Sequence, residues 1–153
     1  MHSKTAYIVG AGDFCDDSFH PGPGDLVIAA DGGYDALLQA GLTAHLLLGD
    51  MDSIQTAPGG IPLLRFPKRK DETDMALGVR LARARGYTRF KLYGALGGRL
   101  DHSLANLHLL AGLARDGLQG VIISGDVLVR ALCRGSLALP PLRPGKIVSV
   151  FSW

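Results

Sequence analysis

The chain is poor in the features that would commit it to a special environment. Its two cysteines, Cys15 and Cys133, stand far apart with no ligand spacing around them. That argues against a disulfide framework or a cysteine zinc site and sets reduced thiols in a cytoplasm as the expectation. No apolar run approaches the roughly 18 residues that a membrane span needs. The opening Met-His-Ser-Lys-Thr leads into a short strand-like segment without a signal-peptide core. Charge of one sign is missing too: 16 Lys and Arg against 14 Asp and Glu give a formal net charge of +2. Charge alone therefore supplies no argument for a nucleic-acid or anionic-membrane partner, and neither is expected. There is no Gly-x-x-x-x-Gly-Lys-Ser/Thr loop and no Gly-x-Ser-x-Gly elbow, which removes P-loop nucleotidases and elbow hydrolases. Gly10-Ala11-Gly12 opens like a dinucleotide fingerprint, but Cys15 occupies the third glycine position and a Pro/Gly-rich loop follows instead of a helix. His102 and His108 lack the spacing of a metal pair with a third ligand. What remains is 153 residues, 47% of them hydrophobic, enough for one sizeable core.

Short apolar runs alternate with helical patterns. Thr5 to Val9, Leu26 to Ala30, Ala44 to Leu48, Ile61 to Phe66, Phe90 to Tyr93 and Val121 to Ile123 read as strands. Several are nearly continuous Val, Ile and Leu, as parallel strands covered on both faces require. Tyr34 to Ala40, Asp74 to Arg85 and Leu100 to Ala114 read as helices, with Gly41, Gly86 and Gly117 where a helix-ending glycine would sit. In the last helix Leu100, Leu104, Leu107 and Ala111 make the expected apolar stripe. The pattern predicts a three-layer α/β/α domain with a mostly parallel sheet over residues 1–125. From 126 to 153 no helical pattern interrupts Val127 to Leu132, Ser136 to Leu139 and Ile147 to Trp153. This stretch is expected to be the start of a β-rich C-terminal domain, cut short inside an apolar strand.

Four acid-bearing segments fall at strand-to-helix junctions. Gly49-Asp50-Met51-Asp52-Ser53 follows a buried strand, and side chains at i and i+2 of an extended segment point the same way. Two converging carboxylates need a shared proton or a cation, and oxygen donors alone suit a hard one such as Mg²⁺. The alternative is an Asx turn and helix cap. Lys70-Asp71-Glu72-Thr73-Asp74 precedes a helix; capping explains one acid there more easily than three. Gly94-Ala95-Leu96-Gly97-Gly98-Arg99-Leu100-Asp101-His102 is a glycine-rich loop opening a helix, suited to phosphate through its N–H groups and Arg99. Its alternative is a glycine turn with Arg99 paired to Asp101. Asp31 closes another strand in Ala30-Asp31-Gly32-Gly33 and could equally be a cap. In a parallel sheet these junctions share one edge, which makes a metal-assisted phosphoryl-type site the combined expectation.

These segments, in this order and followed by Leu104-Ala105-Asn106, resemble the ordered motifs of the thiamine pyrophosphokinase family over nearly the whole chain. The resemblance implies an α/β/α catalytic domain that transfers the pyrophosphoryl group of ATP to the hydroxyl of thiamine, giving thiamine diphosphate and AMP with Mg²⁺ required. It makes Asp50, Asp52 and Asp74 the metal ligands, and with Arg99 the catalytic set. It places Arg99 and Asp101 on the nucleotide and its phosphates, and Asp31, Lys70, Asp71 and Thr73 near the substrates. It implies a homodimer and a smaller β-sandwich domain that builds much of the thiamine pocket; residues 126–153 would be its beginning. Two other readings stay open. A haloacid-dehalogenase-like phosphatase would use Asp50 as a nucleophile, although Gly97-Gly98-Arg99 would then go unused. A nucleotide- or metal-binding fragment would bind without turnover.

Overall fold

The computed structural model describes residues 4–49, 59–66 and 72–152. Asp50, Asp52, Lys70 and Asp71 lie outside the described residues. The chain runs β1 (Thr5–Val9), β2 (Leu26–Ala30), α1 (Gly33–Gln39), β3 (Leu46–Gly49), β4 (Leu63–Arg65), α2 (Asp74–Ala84), β5 (Arg89–Tyr93), α3 (Leu100–Arg115), β6 (Gln119–Ser124) and β7 (Val127–Val129). The six strands and three helices expected up to residue 125 are all present, displaced by one or two residues at some ends. Gly41, Gly86 and Gly117 follow the three helices with positive φ, as helix-ending glycines do.

The strands form one sheet in the order β4-β3-β2-β1-β5-β6-β7. Every pairing is parallel except β6 with β7. The chain steps outward from β1 through β2 and β3 to β4, and then α2 returns it to the other side of β1. The order therefore reverses between β1 and β5. In open α/β sheets the crevice outside the carboxyl ends of the strands at such a reversal is where ligands bind.

Alternating residues of the strands feed two cores. On one face Ile8, Ile28, Leu48, Leu92 and Ile122 pack beneath Met75, Leu77, Val79 and Ala82 of α2 and Leu110 and Leu113 of α3. On the other, Tyr7, Val27, Leu47 and Tyr93 pack beneath Tyr34 and Leu37 of α1 and Phe19 of the loop between β1 and β2. Each fully buried aliphatic side chain contributes on the order of 1.5–3 kcal/mol. The second face owes its cover partly to aromatics. Phe19 meets Tyr7 and Tyr93 edge-on at 5.2 and 5.1 Å, a favoured geometry for aromatic pairs. The Tyr7 and Tyr93 hydroxyls donate to the carbonyls of His20 and Ser18, both at 3.0 Å. Burial pushes both tyrosine pKa values up, which keeps these hydroxyls protonated donors.

Two local expectations are corrected. The fully buried residues of α3 are Asn106, Leu110 and Leu113; of the expected stripe, Leu107 packs half-buried against the core, whereas Leu100 and Leu104 do not. Leu100 is 73% exposed and Leu104 45%, while the later turns carry the buried leucines that join the core with Ile122 of β6. Of the strands expected beyond residue 126, only β7 forms, and it extends the main sheet. Residues 130–152 contain no strand or helix. Pro140, Pro141 and Pro144 interrupt this stretch and remove ladder donors. Ile147 and Val150 are each 89% exposed, so the apolar alternation there meets no facing strand. Among the described residues no helix is long and apolar enough to cross a membrane.

Candidate functional site

The carboxyl end of β1 is the centre around which the described candidate residues gather. Asp31 directly follows β2, the neighbour of β1. Its backbone N–H donates to the carbonyl of Leu48 at 2.8 Å, which fixes it between the ends of β2 and β3. A Cβ placed on Gly49 would lie 3.7 Å from Asp31 Oδ1. The half-buried Asp31 carboxylate thus faces the end of the strand that leads to Asp50. Asp31 has φ 51°, a left-handed conformation that Asp tolerates better than most residues and that is over-represented where backbones are held for function.

The start of α2 sits over the same point. A Cβ on Gly10, the residue after β1, would come to 2.7 Å from Met75 Cε and 2.8 Å from the Gly94 carbonyl. The first turn of α2 is therefore packed onto the end of β1 and the beginning of the loop after β5. Thr73 is the N-cap, its hydroxyl accepting from the Ala76 N–H at 3.2 Å, a bond that satisfies one of the helix's open donors. Asp74 is the first residue of the helix and is half-buried, in the turn where the helix dipole favours an anion.

The loop after β5 completes the rim. Gly10 and Gly12 donate their N–H groups to the carbonyls of Tyr93 and Gly94 at 2.8 and 2.9 Å, and Asp13 donates to Leu96 at 2.9 Å. The two loops are thereby zipped together beyond the ends of their strands. Gly94, Gly97 and Gly98 have φ of 58°, 87° and 64°, which other residues adopt only under strain. At Gly94 a side chain would also run into the carbonyl of Gly10, and at Gly97 into the Asp13 carboxylate. Asn106 holds the loop from below, its Nδ2 donating to the Ala95 carbonyl at 2.7 Å.

Arg99, the N-cap of α3, makes no side-chain cap bond. Its Nε donates to Asp101 Oδ1 at 3.1 Å and a second guanidinium nitrogen donates to Oδ2. This fork raises the Arg99 pKa and holds the Asp101 carboxyl below its ordinary range, the shared hydrogen bond being the main cause for both. Both side chains are exposed, as is His102. The pairing foreseen as the simpler alternative for Arg99 is thus present in the free protein. Two of the five guanidinium N–H donors are engaged and three can reach an incoming anion.

Asp31, Asp74 and the glycine loop are brought to one edge; Thr73 serves the helix, and Arg99 and Asp101 face solvent beside the loop. Asp13 was not expected. The Gly10-Ala11-Gly12 pattern that fails as a dinucleotide fingerprint is its signal: these glycines serve a close approach to a neighbouring loop, and Asp13 comes next. Asp13 also lines a groove of about 560 Å³ with Gly12, Phe14, Asp16, Ala36, Gln39 and Ala40, which none of the expected site residues among the described ones lines.

Comparison with known proteins accords with this arrangement. The family model for the thiamin pyrophosphokinase catalytic domain matches residues 23–122. The chain is 34% identical over 91 residues to the thiamine pyrophosphokinase of Bacillus subtilis (strain 168), covering 56% of this chain and 42% of that protein. It is similar to the crystal structure of thiamine pyrophosphokinase from Bacillus subtilis with a TM-score of 0.69 and 28% identity, covering 80% of this chain and 61% of that one. For the thiamin pyrophosphokinase structure from Geobacillus thermodenitrificans the TM-score is 0.67 and the identity 30%, covering 78% of this chain and 59% of that one. This chain therefore spans less than two thirds of each of these relatives' lengths. With a match that runs from just before β2 to the middle of β6 and takes in Asp31, Asp74 and the Gly94–Arg99 loop, the chain belongs to the thiamin pyrophosphokinase catalytic domain family.

Proposed function

We propose that this chain carries the nucleotide- and metal-handling half of a thiamine diphosphokinase, which moves the pyrophosphoryl group of ATP onto the hydroxyl of thiamine and releases AMP. The observation that carries this reading is the family match over residues 23–122 together with Asp31, Asp74 and the Gly94–Arg99 loop around the end of β1.

Asp74 and Asp31 offer oxygen donors only, which fits a hard cation better than zinc or copper. Asp50, Asp52 and Asp74 would hold Mg²⁺, with Asp31 close by. A bound Mg²⁺ supplies charge neutralisation on the phosphate oxygens. The chain's own groups do the rest. The N–H groups of the glycine loop and the start of α3 face the phosphates, and Arg99 turns from Asp101 onto the leaving side. That exchange is easy because an exposed ion pair is weak. Asp101, released from the pair, stays beside the nucleotide, and Lys70, Asp71 and Thr73 border the substrates. Little covalent work falls to the protein, since positioning and electrostatics dominate phosphoryl-type transfer. The thiamine pocket is assigned to a β-sandwich domain that follows β7 and to the partner subunit of a homodimer.

The test is AMP release with and without thiamine and Mg²⁺, on this chain and on one extended past Trp153. AMP release that needs both supports the reading. Release of inorganic phosphate with a trapped phospho-aspartate would favour the phosphatase. Binding of Mg-ATP without turnover in either chain would leave a nucleotide-binding module.

A further inference from the structure

Asn106 is the buried polar residue of the described core, 6% exposed. It stands in the α3 stripe otherwise made of Leu110 and Leu113. Because the Ala95 carbonyl can only accept, the amide must present Nδ2 to it at 2.7 Å. Oδ1 then faces the other way, buried and without a hydrogen-bond partner among the described residues. Packing alone would place a leucine here, since burying a half-satisfied amide is unfavourable. Ala95 is itself 3% exposed and forms the root of the loop that ends at Arg99. The bond therefore closes a ring from the root of the loop to the second turn of the helix that the loop starts. Gly97 and Gly98, the flexible members of that ring, have no side chains to anchor it.

We propose that Asn106 is a positioning residue. Its buried amide clamps the Gly94–Arg99 loop so that the loop's N–H groups and Arg99 are pre-set for a nucleotide's phosphates. This rests on the function proposed above, but the clamp itself can be measured without any ligand.

The experiment uses the full chain and two substitutions that keep the number and branching of the side-chain heavy atoms. In Asn106→Leu the unsatisfied Oδ1 disappears but the Ala95 carbonyl loses its donor, so the opposing effects leave the melting temperature within about 4 °C of wild type. Amide hydrogen exchange across residues 96–99 in the ligand-free protein speeds up by about tenfold, while β1 and β5 keep their protection. The Kd for Mg-ATP by calorimetry rises by about tenfold, the cost of ordering the loop on binding. Above neutral pH the carboxylate of Asn106→Asp has no proton to donate and is buried uncompensated, so it loosens the loop at least as much as Asn106→Leu. As the pH falls towards 5 the introduced carboxyl gains an O–H donor, and its Kd, taken as a ratio to wild type at each pH, returns towards one. A large fall in melting temperature with wild-type exchange in the loop and wild-type affinity would overturn the proposal and leave Asn106 a purely structural residue. Wild-type protein that binds no Mg-ATP would defeat the proposed function instead, and the exchange measurement alone would then decide the clamp.

Discussion

Helices α2 and α3 both begin at the carboxyl edge of the sheet, and they begin in opposite ways. The start of α2 is closed by the Thr73 hydroxyl and carries the half-buried Asp74. The start of α3 has no side-chain cap, follows two glycines with left-handed backbone and presents an exposed arginine. One start is sealed and carries an acid; the other is open and carries an arginine held by Asp101. A single rim can therefore offer a cation end and an anion end without the two neutralising each other, which is what a metal–phosphate substrate needs.

The sharpest way to break this division is to remove one charge from each end. Asp74→Asn is expected to leave the fold intact and to lower Mg²⁺-dependent turnover, on a chain long enough to show it, by roughly 10²–10³. Arg99→Ala should weaken Mg-ATP binding by about tenfold while leaving the metal dependence in place. Identical metal dependence in the two variants would show that the ends are not separate. The openness of the α3 start is probed next by Gly97→Ala and Gly98→Ala. Both force alanine into a left-handed backbone, but only the first pushes a Cβ into the Asp13 carboxylate. Denaturant melts should show a loss of about 2 kcal/mol for the first and about 1 kcal/mol for the second; equal losses would mean that the packing of Asp13 on Gly97 is not maintained. At the sealed end, Thr73→Ala should cost about 1 kcal/mol of stability in the same measurement.

The smallest effect is electrostatic. Arg99 holds the Asp101 carboxyl below its ordinary value of 3.8, so folding gains from this pair above that pH and loses the gain as the pH falls through the depressed value. Because both groups are exposed, the effect belongs in an NMR titration rather than in a melt. Arg99→Ala should return the Asp101 midpoint upwards towards 3.8.

Much of the fold was legible because parallel strands buried on both faces must be apolar at nearly every position, and Leu26 to Ala30 and Leu46 to Leu48 are. The α3 stripe was misread for a physical reason. Leu100 and Leu104 have the right spacing, but their turns remain largely exposed, and the buried position is held by an asparagine that periodicity counts as polar. The cover supplied by Phe14 and Phe19 has no period at all; it becomes visible only when folding brings Tyr7 and Tyr93 beneath them. In the candidate site, glycines and acids at strand ends marked Asp31, Asp74 and Arg99. Asp13 escaped because its importance comes from a neighbouring loop more than 80 residues away in sequence, where Leu96 accepts its N–H. The readings of Asp50, Asp52, Lys70 and Asp71 remain part of the proposal, since these residues lie outside the described segments.

The zipping of the β1 and β5 loops has a mechanical consequence. Three backbone bonds, from Gly10, Gly12 and Asp13 to Tyr93, Gly94 and Leu96, carry the sheet's own lattice past the point where its strands formally stop. If the proposed function holds, the floor beneath the triphosphate is a shelf built with the same backbone hydrogen bonding as the sheet. On that reading, rearrangement on substrate capture falls to long exposed side chains such as Arg99, so affinity can be tuned from the walls while the floor keeps its shape.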